Sequence, residues 1–248
     1  MSAILTARGL TVRYGDVVAL EAIDLEVPRG KSIAVLGPNG SGKSTLFTTA
    51  VGLAEASAGE IALATDRAAY LPQQIAVEPM FPATVRDVVA MGRWGALGWR
   101  RRMSTRDHEL VDQAMSALAV DHLARRRLGE LSGGQRQRAL LAQVATQDAE
   151  LLLLDEPFTG VDRPTEETVR KLIDSWRDEG RTVMVATHDL ARATRNYDLV
   201  LALNRRVIAF GPAAETCTED VLAATFAGHI ARVGDLVIET EHRHPGAG

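Results

Sequence analysis

The stretch Gly37-Pro38-Asn39-Gly40-Ser41-Gly42-Lys43-Ser44 fits the spacing G-x-x-x-x-G-K-[ST] without a gap. A short apolar run, 32–36, precedes it and a helical pattern, 43–51, follows, so it reads as the turn from a buried strand into a helix. Glycines in such a turn let consecutive backbone N–H groups curl around phosphate oxygens. The helix that begins there adds the positive end of its dipole. Lys43 supplies a positive charge to the outer phosphates, and the Ser44 hydroxyl suits a Mg²⁺ ligand. Gly37, Pro38, Asn39, Gly40, Ser41, Gly42, Lys43, Ser44 and the adjoining Thr45 are therefore the candidate contacts to a phosphate-bearing ligand. An ordinary Gly-rich turn with a surface lysine would not need every position and both flanks to agree.

Outward from that loop, the chain alternates strand and helix patterns. Residues 151–154 are four leucines followed by Asp155 and Glu156, an apolar strand that ends in two carboxylates. Parallel sheets place ligand sites beyond the carboxyl ends of their strands. Asp155 is thus a candidate metal ligand in the Mg²⁺ hydration shell, and Glu156 a candidate general base for an attacking water. Further short strands are expected at 68–71, 182–186 and 199–203, with helices at 165–179 and about 219–226. Before the loop, residues 4–27 alternate apolar and polar around the turn Tyr14-Gly15-Asp16, which predicts two antiparallel strands. Between 85 and 147 the period changes to a helical one, with Leu110, Ala114, Ala117 and Leu118 on one face. The expected fold class is α/β, a phosphate-loop nucleoside-triphosphatase core with an antiparallel β subdomain and an inserted α-helical subdomain. The expected boundaries are 1–218 for the ATP-binding domain, about 84–148 for the helical subdomain within it, and 219–248 for a terminal helix and polar tail.

Composition narrows the class. The 248 residues are 46% hydrophobic and 24% charged, which is ordinary for a globular chain with a sizeable core. A net charge of −4 argues against a nucleic-acid binder, which would carry a basic face. The single Cys217 cannot form an internal disulfide, which fits a reducing compartment. No run approaches the ~20 apolar residues that span a bilayer, and Arg8 interrupts any leader-like segment.

Leu131-Ser132-Gly133-Gly134-Gln135, continued by Arg136-Gln137-Arg138, resembles the signature of the ATP-binding-cassette (ABC) family. Paired glycines at a helix start are otherwise costly, by ~1 kcal/mol each against alanine. They make sense where backbone N–H groups must approach an anion. The resemblance runs over about residues 4–228 and implies roles for further residues. Tyr14 stands where the family stacks an aromatic on adenine. Gln73, in Tyr70-Leu71-Pro72-Gln73, matches the glutamine at Mg²⁺ and the attacking water, with Gln74 beside it leaving the register open. His188, in Ala186-Thr187-His188-Asp189, matches the switch histidine at the γ-phosphate, and Asp162 the aspartate of the loop after the acidic strand. That loop reads Thr159-Gly160-Val161-Asp162 rather than the commoner Ser-Ala-Leu-Asp, and Gln143 stands where many members have arginine.

The resemblance implies an ATPase that uses ATP and Mg²⁺. It also implies an ATP-sandwich dimer in which Ser132, Gly133, Gly134 and Gln135 of one copy face the phosphate loop of the other. Its further partners are integral-membrane permease subunits and, through them, a solute-binding protein. The place implied is the cytoplasmic face of the inner membrane. Residues 81–99 and 156–162, and Gly228-His229-Ile230, look like bacterial manganese and zinc importers, with Trp94, Leu97 and Trp99 as an exposed face for permease helices. Metal-chelate or other nutrient importers, exporters and non-transport members of the family remain alternatives. Arg100-Arg101-Arg102 is either a solvated face or a contact to anionic headgroups. His242 and His244 lack the further ligands of a metal site and read as a polar tail.

Overall fold

The computed structural model describes residues 2–73, 82–97, 102–226, 230–233 and 236–239, with 96–97 and the last two stretches described by backbone alone. Gln74, Trp99, Arg100, Arg101, Gly228, His229, His242 and His244 lie outside the described residues. The chain divides into two compact units, 1–64 with 184–248, and 65–183.

The first unit opens with the expected hairpin, β1 (Ala3–Tyr14) and β2 (Val17–Pro28), joined at Gly15-Asp16. Gly15 takes φ 57, the left-handed value that a tight hairpin turn asks of its residue. Opposed pairs such as Leu5↔Val27 and Leu10↔Ile23 bury one face of the hairpin. β3 (Ser32–Leu36) is buried along its whole length, as its unbroken apolar run requires, and leads through the Gly-rich loop into α1 (Lys43–Ala50). β4 (Ala58–Leu63) adds to β1, giving the antiparallel order β2-β1-β4.

The second unit starts with β5 (Ala68–Leu71). Four helices follow inside the expected insertion: α2 (Val85–Met91), α3 (Trp94–Leu97), α4 (Thr105–Ala117) and α5 (Gly133–Thr146). α2, α4 and α5 pack on one another through Val85, Val88, Val89, Val111, Met115, Leu140 and Leu141, all buried. β6 (Leu151–Asp155) is buried throughout and runs parallel to β5 with Ala68↔Leu151 and Leu71↔Leu154 in register. α6 (Arg163–Asp178) follows, and β7 (Thr182–Thr187) carries the chain across the boundary into the first unit.

Back in the first unit come α7 (Leu190–Asn196), β8 (Leu199–Asn204), β9 (Arg206–Gly211), α8 (Ala213–Thr216), α9 (Glu219–Thr225) and a hairpin of β10 (Ile230–Val233) with β11 (Leu236–Glu239). β8 lies parallel to β3 and antiparallel to β9. Leu222 in α9 and Phe226 just past it share a core cluster with Ala34, Leu36, Ala193 and Val200. Strands β4, β9, β10 and β11 and helix α7 were not expected from the sequence. β4 and β9 each pair with a strand on one side and leave most side chains half or fully exposed, so the apolar alternation is weak there. α7 buries only Ala193 in seven residues.

Candidate functional site

In the first unit, the phosphate loop is shaped by what lies behind it. A Cβ on Gly37 would come 2.1 Å from the carbonyl oxygen of Leu203, at the end of β8. Gly42 takes φ 98, and a Cβ there would sit 2.5 Å from Leu20 Cδ2 and 2.7 Å from the Ala19 carbonyl oxygen. Both positions therefore exclude any side chain, the second on backbone conformation as well. Lys43 is buried, and its Nζ donates to the carbonyl oxygens of Gly37 at 2.7 Å and Pro38 at 3.0 Å. The ammonium is thus held across the concave side of the loop, where it acts on whatever anion enters. Ser41 is buried with its Oγ lacking any hydrogen-bond partner among the described residues. A buried hydroxyl left so is costly unless a ligand oxygen meets it, so the loop fits a phosphate group. Asn39 and Gly40 are exposed at the tip, Ser44 is exposed at the first turn of α1, and Thr45 beside it is half-buried.

One backbone clip holds the loop to its neighbours. Arg205, in the turn between β8 and β9, has φ 57, the left-handed region that costs a non-glycine residue ~1 kcal/mol. Its N–H donates to Ser41 O at 2.8 Å, and its carbonyl accepts from Glu21 N–H at 2.7 Å. The adjacent Arg206 guanidinium makes a two-pronged ion pair with Glu21. Tyr14 is 54% exposed at the end of β1, directly opposite Val17, itself 61% exposed. Two large apolar side chains paired in the open give a platform with no packing reason inside the unit. His188 is exposed just past β7, on a turn stiffened by Asp189 N–H donating to Thr187 Oγ1 and by the Asp189 carboxylate capping α7 and accepting from Arg192 Nε.

The second unit carries the carboxylates. Asp155 ends β6 fully buried, and Glu156 follows at 7% exposure. Glu156 has φ 46, so its backbone is strained where no glycine relieves it; such strain persists only where surrounding structure enforces it. Its Oε2 accepts from Gln73 Nε2 at 3.0 Å and from Thr159 Oγ1 at 2.9 Å. The structure thus brings Gln73, Glu156 and Thr159 together. Asp162 caps α6 by accepting from Thr165 N–H at 3.0 Å. The Thr165 hydroxyl and N–H, helped by the charge of Arg138, hold its carboxyl below the usual aspartate range. Ser132 caps α5 in a reciprocal box, accepting from Gln135 N–H while its own N–H donates to Gln135 Oε1 at 3.2 Å. Gly133, exposed, would meet nothing within 4 Å if it bore a Cβ, whereas a Cβ on Gly134 would lie 3.4 Å from Gly160 O. Nothing among the described residues asks for glycine at 133.

The sequence model of the family described as "ABC transporter" matches residues 20–159. The chain is 38% identical over 241 residues to the manganese transport system ATP-binding protein MntB of Bacillus subtilis, covering 94% of this chain and 96% of that one. It is 39% identical over 228 residues to the zinc transport system ATP-binding protein TroB of Treponema pallidum, covering 89% of this chain and 86% of the relative. Among solved structures, a chain of a transporter described as of metal-chelate type, in an inward-facing conformation, superposes with a TM-score of 0.78. It is 28% identical, and the superposition covers 95% of each chain.

Proposed function

The chain belongs to the ABC transporter family as an ATP-hydrolysing, ATP-binding subunit, and from that premise we propose that it energises the uptake of a divalent transition metal, manganese or zinc. The single observation behind the metal assignment is the likeness, along nearly the whole chain, to ATP-binding subunits of manganese and zinc systems. Such likeness tracks the surfaces that meet permeases and a second copy; the solute itself never touches this subunit.

In the proposed reaction the first unit holds ATP. Tyr14 stacks on the adenine, the loop from Gly37 to Thr45 wraps the phosphates, and Lys43 stabilises charge on the β- and γ-phosphates. The Ser44 hydroxyl on the first unit, and Asp155 and Gln73 on the second, offer the oxygens that would suit Mg²⁺ or its water shell, and the ion would supply positive charge to the phosphates. Glu156 takes a proton from water as the water oxygen attacks the γ-phosphorus; the bond to the bridging oxygen breaks and ADP leaves with that electron pair. His188 donates to the γ-phosphate oxygens. Ser132, Gly133, Gly134 and Gln135 present α5's N-terminus to the γ-phosphate held by a second copy, with Asp162 beside that contact.

Among the described residues no helix is long and apolar enough to cross a membrane. We assign the membrane path to permease subunits, with a solute-binding protein acting through them, and place this chain at the cytoplasmic face of the inner membrane. Trp94, 60% exposed, belongs to the face proposed for the permeases. The test is the metal content and growth of a strain lacking this gene in chelated medium. The expected outcome is loss of manganese or zinc uptake; unchanged uptake of both, with failure of another solute, overturns the metal assignment and leaves the ATPase intact.

A further inference from the structure

We propose that Thr159 is a positioning residue for hydrolysis, fixing the carboxylate of Glu156 in the orientation from which it takes a proton; the inference rests on the reading of Glu156 as the base. A glutamate reaches its carboxylate through three rotatable bonds, so burial alone does not aim its lone pairs. Here Oε2 of Glu156 accepts from two donors, Gln73 Nε2 at 3.0 Å and Thr159 Oγ1 at 2.9 Å. Two donors on one oxygen fix the plane of the carboxylate and so the direction in which the other oxygen faces.

The two donors differ in how firmly they are held. Gln73 is exposed, carries a long side chain and lies two residues past the end of β5. Thr159 lies three residues from Glu156 in the same tight turn, its N–H donating to Glu156 O at 3.1 Å. Its γ-methyl restricts χ1, so the hydroxyl is delivered with little loss of freedom. The turn is also the place of backbone strain, with Glu156 at φ 46. Thr159 is thus tied to the base twice, through backbone and through side chain, and this explains a hydroxyl residue on an exposed loop where packing demands none.

The experiment measures steady-state ATP hydrolysis by the full chain carrying Thr159→Val, which keeps the shape and removes the hydroxyl, and Thr159→Ser, which keeps the hydroxyl. A hydrogen bond to a charged acceptor exceeds a neutral one, so Thr159→Val should lower kcat about tenfold, with KM for ATP and the ATP dissociation constant unchanged. Thr159→Ser should recover kcat to within about twofold of the unsubstituted chain. In a Glu156→Gln background, adding Thr159→Val should cost nothing more, because both act through one carboxylate. If valine disturbs the turn, seen as a lowered thermal midpoint, Thr159→Ala must reproduce the kcat loss at an unchanged midpoint. Wild-type kcat in Thr159→Val, equal losses in the valine and serine variants, or a raised KM at constant kcat each overturn the proposal. If Glu156→Gln itself hydrolyses ATP at the wild-type rate, it is the reading of the base that fails; if Glu156→Gln is inactive and Thr159→Val is not impaired, only the role of Thr159 fails.

Discussion

Lys43 shows how one side chain serves both the loop and the ligand. It is buried, and its ammonium binds the carbonyl oxygens of Gly37 and Pro38. Lys43→Ala removes the charge that attracts phosphate and also one donor to each of those carbonyls, Pro38 keeping the Ser41 N–H at 3.2 Å. The charge acts on bound ATP before and during reaction, so affinity and turnover should fall together. The ATP dissociation constant measured by calorimetry should rise at least about tenfold; an unchanged constant contradicts the role. This residue was legible from spacing alone, because a phosphate loop constrains consecutive positions. The φ of 46 at Glu156 and the Thr159 hydroxyl on its carboxylate were not. They depend on how a turn closes, and nothing in the string Glu156-Pro157-Phe158-Thr159 distinguishes that turn from a plain strand ending. The Arg205 clip was hidden for the same reason: it works through backbone N–H and C=O groups, which every residue but proline carries.

At the scale of elements, the helical insertion is held by a polar joint. Ser104 caps α4 by accepting from Asp107 N–H, and the Asp107 carboxylate accepts in return from Ser104 N–H and Oγ and from Arg93 Nε at 2.9 Å. Arg93 Nη1 in turn donates to Thr146 O at 2.7 Å, at the end of α5. The Ser104 hydroxyl and N–H, then Arg93, lower the Asp107 carboxyl from 3.8 to about 2. A carboxyl depressed in the folded state stabilises it above the unfolded pKa, and that contribution is lost as pH falls through the folded value. Asp107→Asn should therefore be less stable than the parent chain by denaturant unfolding at pH 6. The gap should narrow between pH 4 and pH 2; a gap of constant size across that window contradicts the linkage. The helical character of this insertion was legible from its apolar period, but the face expected for α4 was only partly right: Ala114 and Leu118 are buried, whereas Ala117 is exposed and Val111 and Met115 are buried in its place. β4 and β9 were not legible, because neighbours in space rather than their own alternation make them strands. The joint itself joins residues far apart in sequence, Arg93, Asp107 and Thr146, and no local pattern announces it.

At the scale of the whole molecule, one chain presents a helix start that it does not use. Gly133 opens α5 exposed, in a position where helix propensity disfavours glycine and where a Cβ would touch nothing within 4 Å among the described residues. A residue that is costly and locally unnecessary is explained by a surface outside the chain, and the proposed surface is the γ-phosphate of ATP held by a second copy. Gly133→Arg tests this more cleanly than a change at Ser132, whose hydroxyl caps the helix and whose loss would weaken α5 by itself. Arginine at 133 leaves the Ser132–Gln135 box intact and improves helix propensity, so the single chain should fold and bind ATP as before. Its bulk should keep a partner's phosphate from reaching the helix N–H groups. The measurement is light scattering with ATP in a Glu156→Gln background, where slowed hydrolysis should hold the dimer closed. Glu156→Gln alone should run as a dimer, and the Glu156→Gln, Gly133→Arg double variant as a monomer with an unchanged ATP dissociation constant. A dimer of normal stability in the double variant would remove the start of α5 from the composite site, while the phosphate loop and Glu156 would keep their roles.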